Sequence, residues 1–339
     1  MKKYLSLILF IALSINANAQ LLWKISGNDL EKPSYILGTH HLAPLSVTDS
    51  IAGLSKVMDE TLQVYGEVIM EEMNAPATLQ MMQKHMMMPA DTTMKSLFTT
   101  EEYEAVNKIV KEVFQAELSM IAQLKPAAIN QQLSVMLYLK EIPGYNPQEQ
   151  LDTYFQQQAV ANGKKVGGLE SVQSQIDILF NQQPLKRQAT LLHCAAINIE
   201  KDMLTVKELT NAYMAQDLEK VHSIIQQRNN DSCDPTLGEL EALIDNRNRN
   251  WVEKMPAIML ENPTLFVVGA GHLLGGYGVL TLLKQKGYNV EPMNEKTHKK
   301  ESNRSPFFMI VFLLQCNSQG KDSLHRKRHT RRALSNLPR

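Results

Sequence analysis

Several features that would assign this chain to a common class are scarce or missing. The sequence has three cysteines and no Cys-x-x-Cys pair, so it indicates neither a disulfide scaffold nor a cysteine-ligated zinc site. The zinc-protease signature His-Glu-x-x-His does not occur, which argues against an ordinary zincin. No lysine follows the glycines at 275–278 with the spacing of a phosphate-binding loop, so a nucleotide site is not indicated.

No apolar run reaches the roughly 20 residues that a membrane-spanning helix needs. Residues 4–15 are apolar, follow two lysines and precede a small-x-small sequence at 17–19, a pattern typical of a signal peptide. We therefore expect removal of residues 1–19 and export to the periplasm or the cell exterior. The run at 306–316 is also too short to span a bilayer, so we expect no transmembrane span after signal removal.

A formal net charge of zero hides an uneven distribution of charge. Residues 297–339 contain ten Lys or Arg and two Asp or Glu, so the rest of the chain is acidic overall. A basic tail can bind nucleic acid or a membrane surface, or it can be a disordered extension. This one offers a single short apolar run, too little to bury a core. We interpret it as a disordered tail, expect no nucleic-acid partner, and place the globular domain at residues 20–296.

Short apolar runs that read as strands alternate with long helical stretches along this domain. The runs lie at residues 21–25, 34–37, 62–65, 165–166, 264–268 and 289–290. The first two are predicted to pair across a Gly-Asn-Asp turn at 27–29. The order of strands and helices predicts an α/β fold with α+β character. We expect a small mixed, largely parallel sheet with helical layers and a large helical insertion at about 74–160.

Four of the predicted strands are followed by glycine and then by a histidine or a glutamate. These residues are His41, Glu67, Glu170 and His272, and the glycines are expected to let the chain turn sharply. In open α/β sheets, ligands bind outside the carboxyl ends of the strands, so the four side chains should converge on one crevice. Two imidazoles and two carboxylates suit a divalent ion such as Zn²⁺, Mn²⁺ or Co²⁺. One glycine before a polar residue is an ordinary turn; the prediction depends on all four together.

Two other groups of residues are interpreted as structural. The methionine-rich segment 81–88 with His85 could bind Cu(I), but a flexible hydrophobic helix surface, or a lid over the crevice, is the preferred interpretation. Cys194 lies in an apolar helical run and is expected to be a small buried residue. Because the cysteine count is odd, no disulfide is assigned.

Four segments resemble, in the same order, motifs of the TraB/GumN/Tiki family. Residues 38–41 and 269–272 each have the form Gly-x-x-His, residues 166–175 contain Gly-Leu-Glu followed by a glutamine, and residues 247–251 contain Arg-Asn. With the neighbouring positions, the resemblance extends from residue 21 to about 293. Each motif is weak alone, and the set is more specific.

The resemblance implies an exported metal-dependent hydrolase that cleaves peptide bonds in a peptide or protein substrate. His41 and His272 would bind a divalent ion (Mn, Co or Zn), with Glu67 or Glu170 as a further ligand. The remaining glutamate would take the proton of the metal-bound water. Arg247 or Asn248 would stabilise an oxyanion or hold a substrate carboxylate.

Other interpretations of these residues stay open at this point. Arg247 and Arg249 could equally lie on a solvated helix face, and His40 could be a partner of the site or a turn residue. The same crevice could bind haem or a metal without catalysis, with a histidine as axial ligand. The chain could also be a partner in cell-envelope biogenesis, with the motif residues serving only the fold.

Overall fold

The computed structural model describes residues 20–293; the predicted signal peptide and basic tail lie outside them. The described residues form six strands, β1 to β6: Leu22–Ser26, Ser34–Thr39, Gln63–Gly66, Lys165–Gly168, Thr264–Gly269 and Asn289–Pro292. They also form thirteen α-helices, α1 to α13: Leu54–Glu60, Met70–Met73, Pro76–Met86, Thr100–Phe114, Pro126–Glu141, Leu151–Ala161, Val172–Phe180, Leu185–Ile197, Ile199–Met214, Leu218–Ile225, Leu237–Leu240, Asn246–Glu261 and Val279–Gln285.

The strands form one mixed sheet in the order β4-β3-β5-β2-β1-β6. Strands β4, β3, β5 and β2 are parallel to one another, and β1 runs antiparallel to both β2 and β6. The predicted pairing of β1 with β2 is present, with Leu22 opposite Leu37, across a turn whose three residues have positive φ angles. This mostly parallel sheet with helices confirms the predicted α/β class.

The centre of the sheet is buried on both faces. Every residue of β2 is buried, and so are five of the six residues of β5. Because helices cover both faces, these strands are almost continuously apolar and do not alternate between apolar and polar residues. The core around them includes residues from α1, α6, α9, α10, α12 and α13, with Trp251 and Tyr213 among its largest fully buried side chains.

The segment between β3 and β4 is helical and contains α2 to α6. Helix α4 begins after Thr99, which forms a capping box with Glu102 and so stabilises the first turn. Residues of α4 and α5 share a second apolar cluster with α8, which ties the helices before β4 to a helix after it. Met81, Met82 and Met86 pack against a third cluster that includes residues of α7, in agreement with the hydrophobic-surface interpretation of this segment.

Cys194 is buried, as expected, but it is not a lone thiol. It forms a disulfide with Cys233, 39 residues further along the chain, which ties α8 to the segment before α11. This pair could not be predicted from the sequence, because an odd number of cysteines without a recognised spacing leaves the connectivity open.

The glycines at the strand ends do not make sharp turns, contrary to the sequence expectation. The strands extend further than predicted, so these glycines lie inside them and without positive φ. What excludes a larger residue is close packing. A Cβ on Gly66 would lie 2.3 Å from Nε2 of Gln156, and a Cβ on Gly38 would lie 2.7 Å from a methyl group of Leu273. Helix α6 and the segment after β5 can therefore approach the sheet closely.

No helix within residues 20–293 is both long and apolar enough to cross a membrane.

Candidate active site

The carboxyl ends of β2, β3, β4 and β5 lie side by side at one edge of the sheet, because these four strands are parallel neighbours. Thr39 pairs with Gly269 in the register of β2 and β5, and Gly66 pairs with both Gly168 and Val267. The residues that follow the strands are thereby placed along this edge, which we call the catalytic edge. Helix α12 adds further side chains to it, starting directly after a π-helical turn, Glu241–Asp245.

The guanidinium of Arg247 is at the centre of a buried network on this edge. Its Nη2 donates to Glu67 Oε2 at 2.5 Å and to Glu170 Oε1 at 2.6 Å. Its Nε donates to both oxygens of Glu170. Its Nη1 donates to the carbonyl of Leu243 at 3.1 Å and to Nε2 of His272 at 3.0 Å. All five N–H groups of the guanidinium are therefore used within the protein.

Further contacts hold this network in place. The guanidinium of Arg247 lies 4.8 Å from the ring centre of Trp251, a cation–π distance. Nε2 of Gln175 donates to both Glu67 and Glu170 at 3.1 Å. Arg247 is only 9% exposed, so the solvated-face interpretation is wrong for this residue.

Asn248 fixes the tautomer of His272. Its Nδ2 donates to the carbonyls of His272 and Tyr277, so its Oδ1 must accept the hydrogen bond of 2.7 Å to Nδ1 of His272. The proton of the neutral ring then lies on Nδ1, and the lone pair of Nε2 accepts from Arg247. Burial lowers the pKa of His272 to about 4, and the charge of Arg247 acts in the same direction, so the ring is neutral near pH 7.

Glu67 is held ionised by its neighbours. Burial by itself would raise the pKa of this carboxyl, but His272, Arg247 and the backbone N–H of Gly269 together lower it. Since His272 is neutral near pH 7, Arg247 is the cation that stabilises the carboxylate there. The N–H of Gly269 donates to Oε1 of Glu67 at 2.9 Å, which places this oxygen at the end of β5.

His41 lies on the same edge but belongs to a second group of side chains. Its side chain is 66% exposed, and its Nδ1 lies 3.5 Å from Oδ2 of Asp152, a residue in the first turn of α6. Oδ1 of Asp152 accepts from the hydroxyl of Thr39 at 3.1 Å. The Asp152 carboxylate raises the pKa of His41, and Glu67 is close enough to act in the same direction.

The contacts of His40 indicate a structural role. Its Nε2 hydrogen-bonds with the hydroxyl of Thr210 at 3.0 Å, and its ring packs against Tyr213. Burial lowers its pKa to about 4. His40 thus links the end of β2 to α9 through Thr210 and Tyr213.

A depression of about 140 Å³ lies between the two Gly-x-x-His segments. Its lining includes Thr39 and His41 together with apolar residues: Leu209, Tyr213, Val221 and Ile225. Its volume is well below the roughly 300–1,000 Å³ of typical cofactor pockets.

Of the six residues predicted from sequence, five form one network: Glu67, Glu170, Arg247, Asn248 and His272. His41 stands beside it with Asp152. Sequence reasoning missed Asp152, which lies in a helix outside every motif, and it assigned no role to Trp251, the last residue of the Arg-Asn segment. The glutamine after Gly-Leu-Glu, Gln175, was noticed as part of a segment but without a role.

The predicted ligand set does not fit a single metal ion in this arrangement. The guanidinium of Arg247 cannot be a metal ligand, because it is a cation without an available lone pair. Its hydrogen bonds also occupy the lone pairs of Glu67 Oε2, Glu170 and His272 Nε2 that an ion would need. Among the residues the structure describes, no group of three or more His, Cys, Asp or Glu side chains could hold a metal. An ion could reach both glutamates only if Arg247 moved away.

Comparison with known proteins agrees with the motifs. Metalloprotease TIKI1 of Danio rerio is 26% identical, over 84% of this chain and 65% of that protein. Metalloprotease TIKI2 of Danio rerio is 25% identical, over 80% and 60%, and human metalloprotease TIKI1 is 25% identical, over 84% and 64%. The chain thus spans less than two thirds of the length of these curated relatives. No solved structure matches it.

The relatives' name, metalloprotease, implies a divalent metal in those proteins. The TraB/PrgY/gumN family matches residues 21–292, which include all six strands and both Gly-x-x-His segments. The chain belongs to the TraB/PrgY/gumN family.

Proposed function

We propose that this protein is an exported hydrolase that cleaves peptide bonds at the catalytic edge. The observation that carries the proposal is the buried Glu67–Arg247–Glu170–His272 network on the same edge as the exposed imidazole of His41. Apolar residues of similar volume often stabilise a fold as well as a buried charged network does, so the presence of this network favours a functional role. The similarity to proteins named metalloproteases supports a peptide or protein as the substrate.

The residues of this edge can bind and activate a water molecule. Oε1 of Glu67 receives one hydrogen bond from the protein, from Gly269, and a carboxylate oxygen can accept a second from water. His41 lies two residues after Thr39, the register partner of Gly269, and Glu67 influences its pKa, so the imidazole is on the same edge as this carboxylate. We assign to it the role of the base that takes the water's proton. Arg247 holds Glu67 in place and ionised. The peptide lies in the depression between the two Gly-x-x-His segments.

A divalent ion, if this protein binds one as the relatives' name implies, would supply a water of lowered pKa at the edge. The four-ligand set His41, His272, Glu67 and Glu170 stays a prediction, and it requires Arg247 to withdraw. The depression beside His41, about 140 Å³, is smaller than a typical cofactor pocket and so does not support the haem interpretation.

The Cys194–Cys233 disulfide supports export, because such bonds persist in oxidising compartments. The signal peptide over residues 1–19, with cleavage before Gln20, remains part of the proposal. Intact-mass measurement of secreted protein tests it, and a mature chain that still starts at Met1 would contradict export by this signal.

The test of function is hydrolysis of a fluorogenic peptide library by the secreted chain and by its His41→Ala variant. We expect cleavage by the wild type and a loss of at least 100-fold in the variant. His85→Ala is the matched control, because His85 hydrogen-bonds to Asn181 and takes no part in the catalytic edge. No cleavage of any peptide by correctly folded wild type, with or without added Mn²⁺, Co²⁺ or Zn²⁺, would overturn the proposal.

The same material decides the metal question. Metal content after dialysis is compared for the wild type and for a His41→Ala/His272→Ala double variant. One equivalent of metal in the wild type, lost from the double variant, would show that Arg247 withdraws and that the predicted ligand set binds the ion. Cleavage that persists in excess chelator would show that this edge acts without one.

A further inference from the structure

The carboxylate of Asp152 lies beside His41, and one of its two oxygens is not hydrogen-bonded within the described part of the chain. The residue is 8% exposed. Its Oδ1 is bonded to Thr39, whereas its Oδ2 is buried and has no hydrogen-bond partner among the described residues. A buried carboxylate oxygen without a partner is costly, and Nδ1 of His41 lies 3.5 Å from this oxygen.

The elements around Asp152 hold it rigidly. It lies in the first turn of α6, where the helix dipole favours a negative charge. One turn later on the same helix, Gln156 binds the chain after β3 through its hydrogen bonds to Val68 and Met70. The other partner of Asp152, Thr39, is the last residue of β2 and lies two positions before His41. The carboxylate is thus fixed both to α6 and to the strand that positions His41.

We propose that Asp152 is a positioning residue for His41. Its Oδ2 accepts the hydrogen bond of Nδ1–H, which selects the neutral tautomer whose lone pair is on Nε2. The inference rests on the proposed function, since it concerns the imidazole assigned there. It holds whether that lone pair takes a proton from water or binds an ion, because both uses need Nδ1–H to be anchored.

The distance of 3.5 Å is longer than a good hydrogen bond. Catalytic hydrogen bonds are often long in the free enzyme and shorten when substrate binds. His41 is largely exposed, so a bound peptide that covers its ring would press it towards α6. We therefore expect the Nδ1–Asp152 contact to tighten in the complex.

The decisive variant is Asp152→Asn. The amide oxygen keeps the bond from Thr39, while the amide nitrogen donates where the carboxylate accepted. A donor facing Nδ1 favours the opposite tautomer of His41, with the proton on Nε2. Asp202→Asn, the same change at an exposed position of α9, is the matched control.

The readout is the long-range ¹H–¹⁵N spectrum of ¹⁵N-histidine-labelled protein, with His41 assigned by its loss in His41→Ala. In the wild type we expect Nδ1 protonated and Nε2 unprotonated at pH 8. In Asp152→Asn we expect the reverse, with kcat for peptide cleavage reduced at least 100-fold and KM within twofold of wild type. Asp202→Asn should match the wild type in both measurements.

A wild-type His41 protonated on Nε2 would overturn the inference without any variant, so failure of Asp152→Asn to fold does not protect it. An unchanged tautomer in a folded Asp152→Asn protein would overturn it as well. If the tautomer changes as expected while the wild type cleaves no peptide, the positioning role stands and the proposed function fails. The two claims are thereby separable.

Discussion

At the residue scale, one guanidinium balances two buried carboxylates. Arg247 pairs with Glu67 and Glu170, and all three side chains are at most 17% exposed. Removing one partner of such a group leaves an uncompensated buried charge, which costs more than the intact group contributed. We therefore expect the stability of the folded chain to depend on Arg247.

Replacement of Arg247 by methionine tests this dependence. We expect the free energy of unfolding to fall by about 3–5 kcal/mol, because both carboxylates lose their cation. Urea denaturation followed by circular dichroism measures it. Arg249→Met is the control: Arg249 lies two residues away, partly exposed, and stacks on Tyr277, so its loss should cost less than about 1 kcal/mol. Equal losses in the two variants would contradict the role of Arg247.

A second outcome follows from the same substitution. In the Arg247→Met variant, Glu67, Glu170 and His272 regain lone pairs that the guanidinium occupies in the wild type. We expect added Mn²⁺ or Zn²⁺ to raise the Tm of Arg247→Met more than that of the wild type, since binding to the folded state alone stabilises it. Thermal melts with and without metal measure the difference. A wild type that gains as much from the metal would show that Arg247 does not block the site.

At the scale of elements, the close approach of α6 to β3 positions two groups at once. Gly66 allows Gln156 to reach the chain after β3, and Asp152 lies one turn earlier on the same helix. A side chain at position 66 would push the helix away from the strand. The positions of Glu67 and Asp152 are therefore coupled through a glycine that contacts neither carboxylate in a hydrogen bond.

Alanine at position 66 makes this coupling measurable. Its Cβ would lie 2.3 Å from Nε2 of Gln156, so we expect a loss of about 1–3 kcal/mol in the free energy of unfolding and lower peptide cleavage. Gly238→Ala is the control, because nothing lies within 4 Å of a Cβ there and α11 should gain up to about 1 kcal/mol from the better helix former. The two alanines should thus shift stability in opposite directions, and a neutral Gly66→Ala would argue against tight packing at α6.

The disulfide acts on the helical layer and leaves the catalytic edge alone. Cys194 lies in α8 and Cys233 lies 39 residues later, so the bond closes a loop that costs the unfolded chain about 4 kcal/mol of entropy. We expect Cys194→Ser/Cys233→Ser to melt several degrees lower while keeping its cleavage rate at 25 °C. Dithiothreitol should lower the Tm of the wild type in the same way and leave the Tm of the double variant unchanged. A Tm of the wild type that is insensitive to reductant would mean that the bond does not form.

At the scale of the whole molecule, the sequence was informative wherever the chemistry is local. Strand runs, the β1–β2 pairing and the residues directly after the strands follow from short patterns of apolar residues and glycine. Asp152, Trp251 and the Cys194–Cys233 pair could not be predicted, because they are brought to their partners by helix packing. The central position of Arg247 was equally beyond reach, since its two carboxylates are 77 and 180 residues away in the chain.

The predicted extent of the domain remains to be tested. All six strands lie within residues 22–292, so a chain of residues 20–296 contains every element that the structure describes. We expect this shortened chain to keep the Tm of the full mature protein within error, as measured by scanning calorimetry. A Tm lower by several degrees would show that residues 297–339 contribute to stability.

The pairing of β1 with β6 would have a consequence for the export proposed above. β1 lies between β2 and β6, and the N–H of Met293 donates to the carbonyl of Leu22, so the first strand is completed by the last. β2 likewise pairs with β5, which lies more than 220 residues downstream, with Tyr35 opposite Leu265. A chain that crosses a translocon amino end first cannot close its sheet until nearly all of it has passed. Such high contact order slows premature folding on the near side and makes completion of the sheet a final step on the far side.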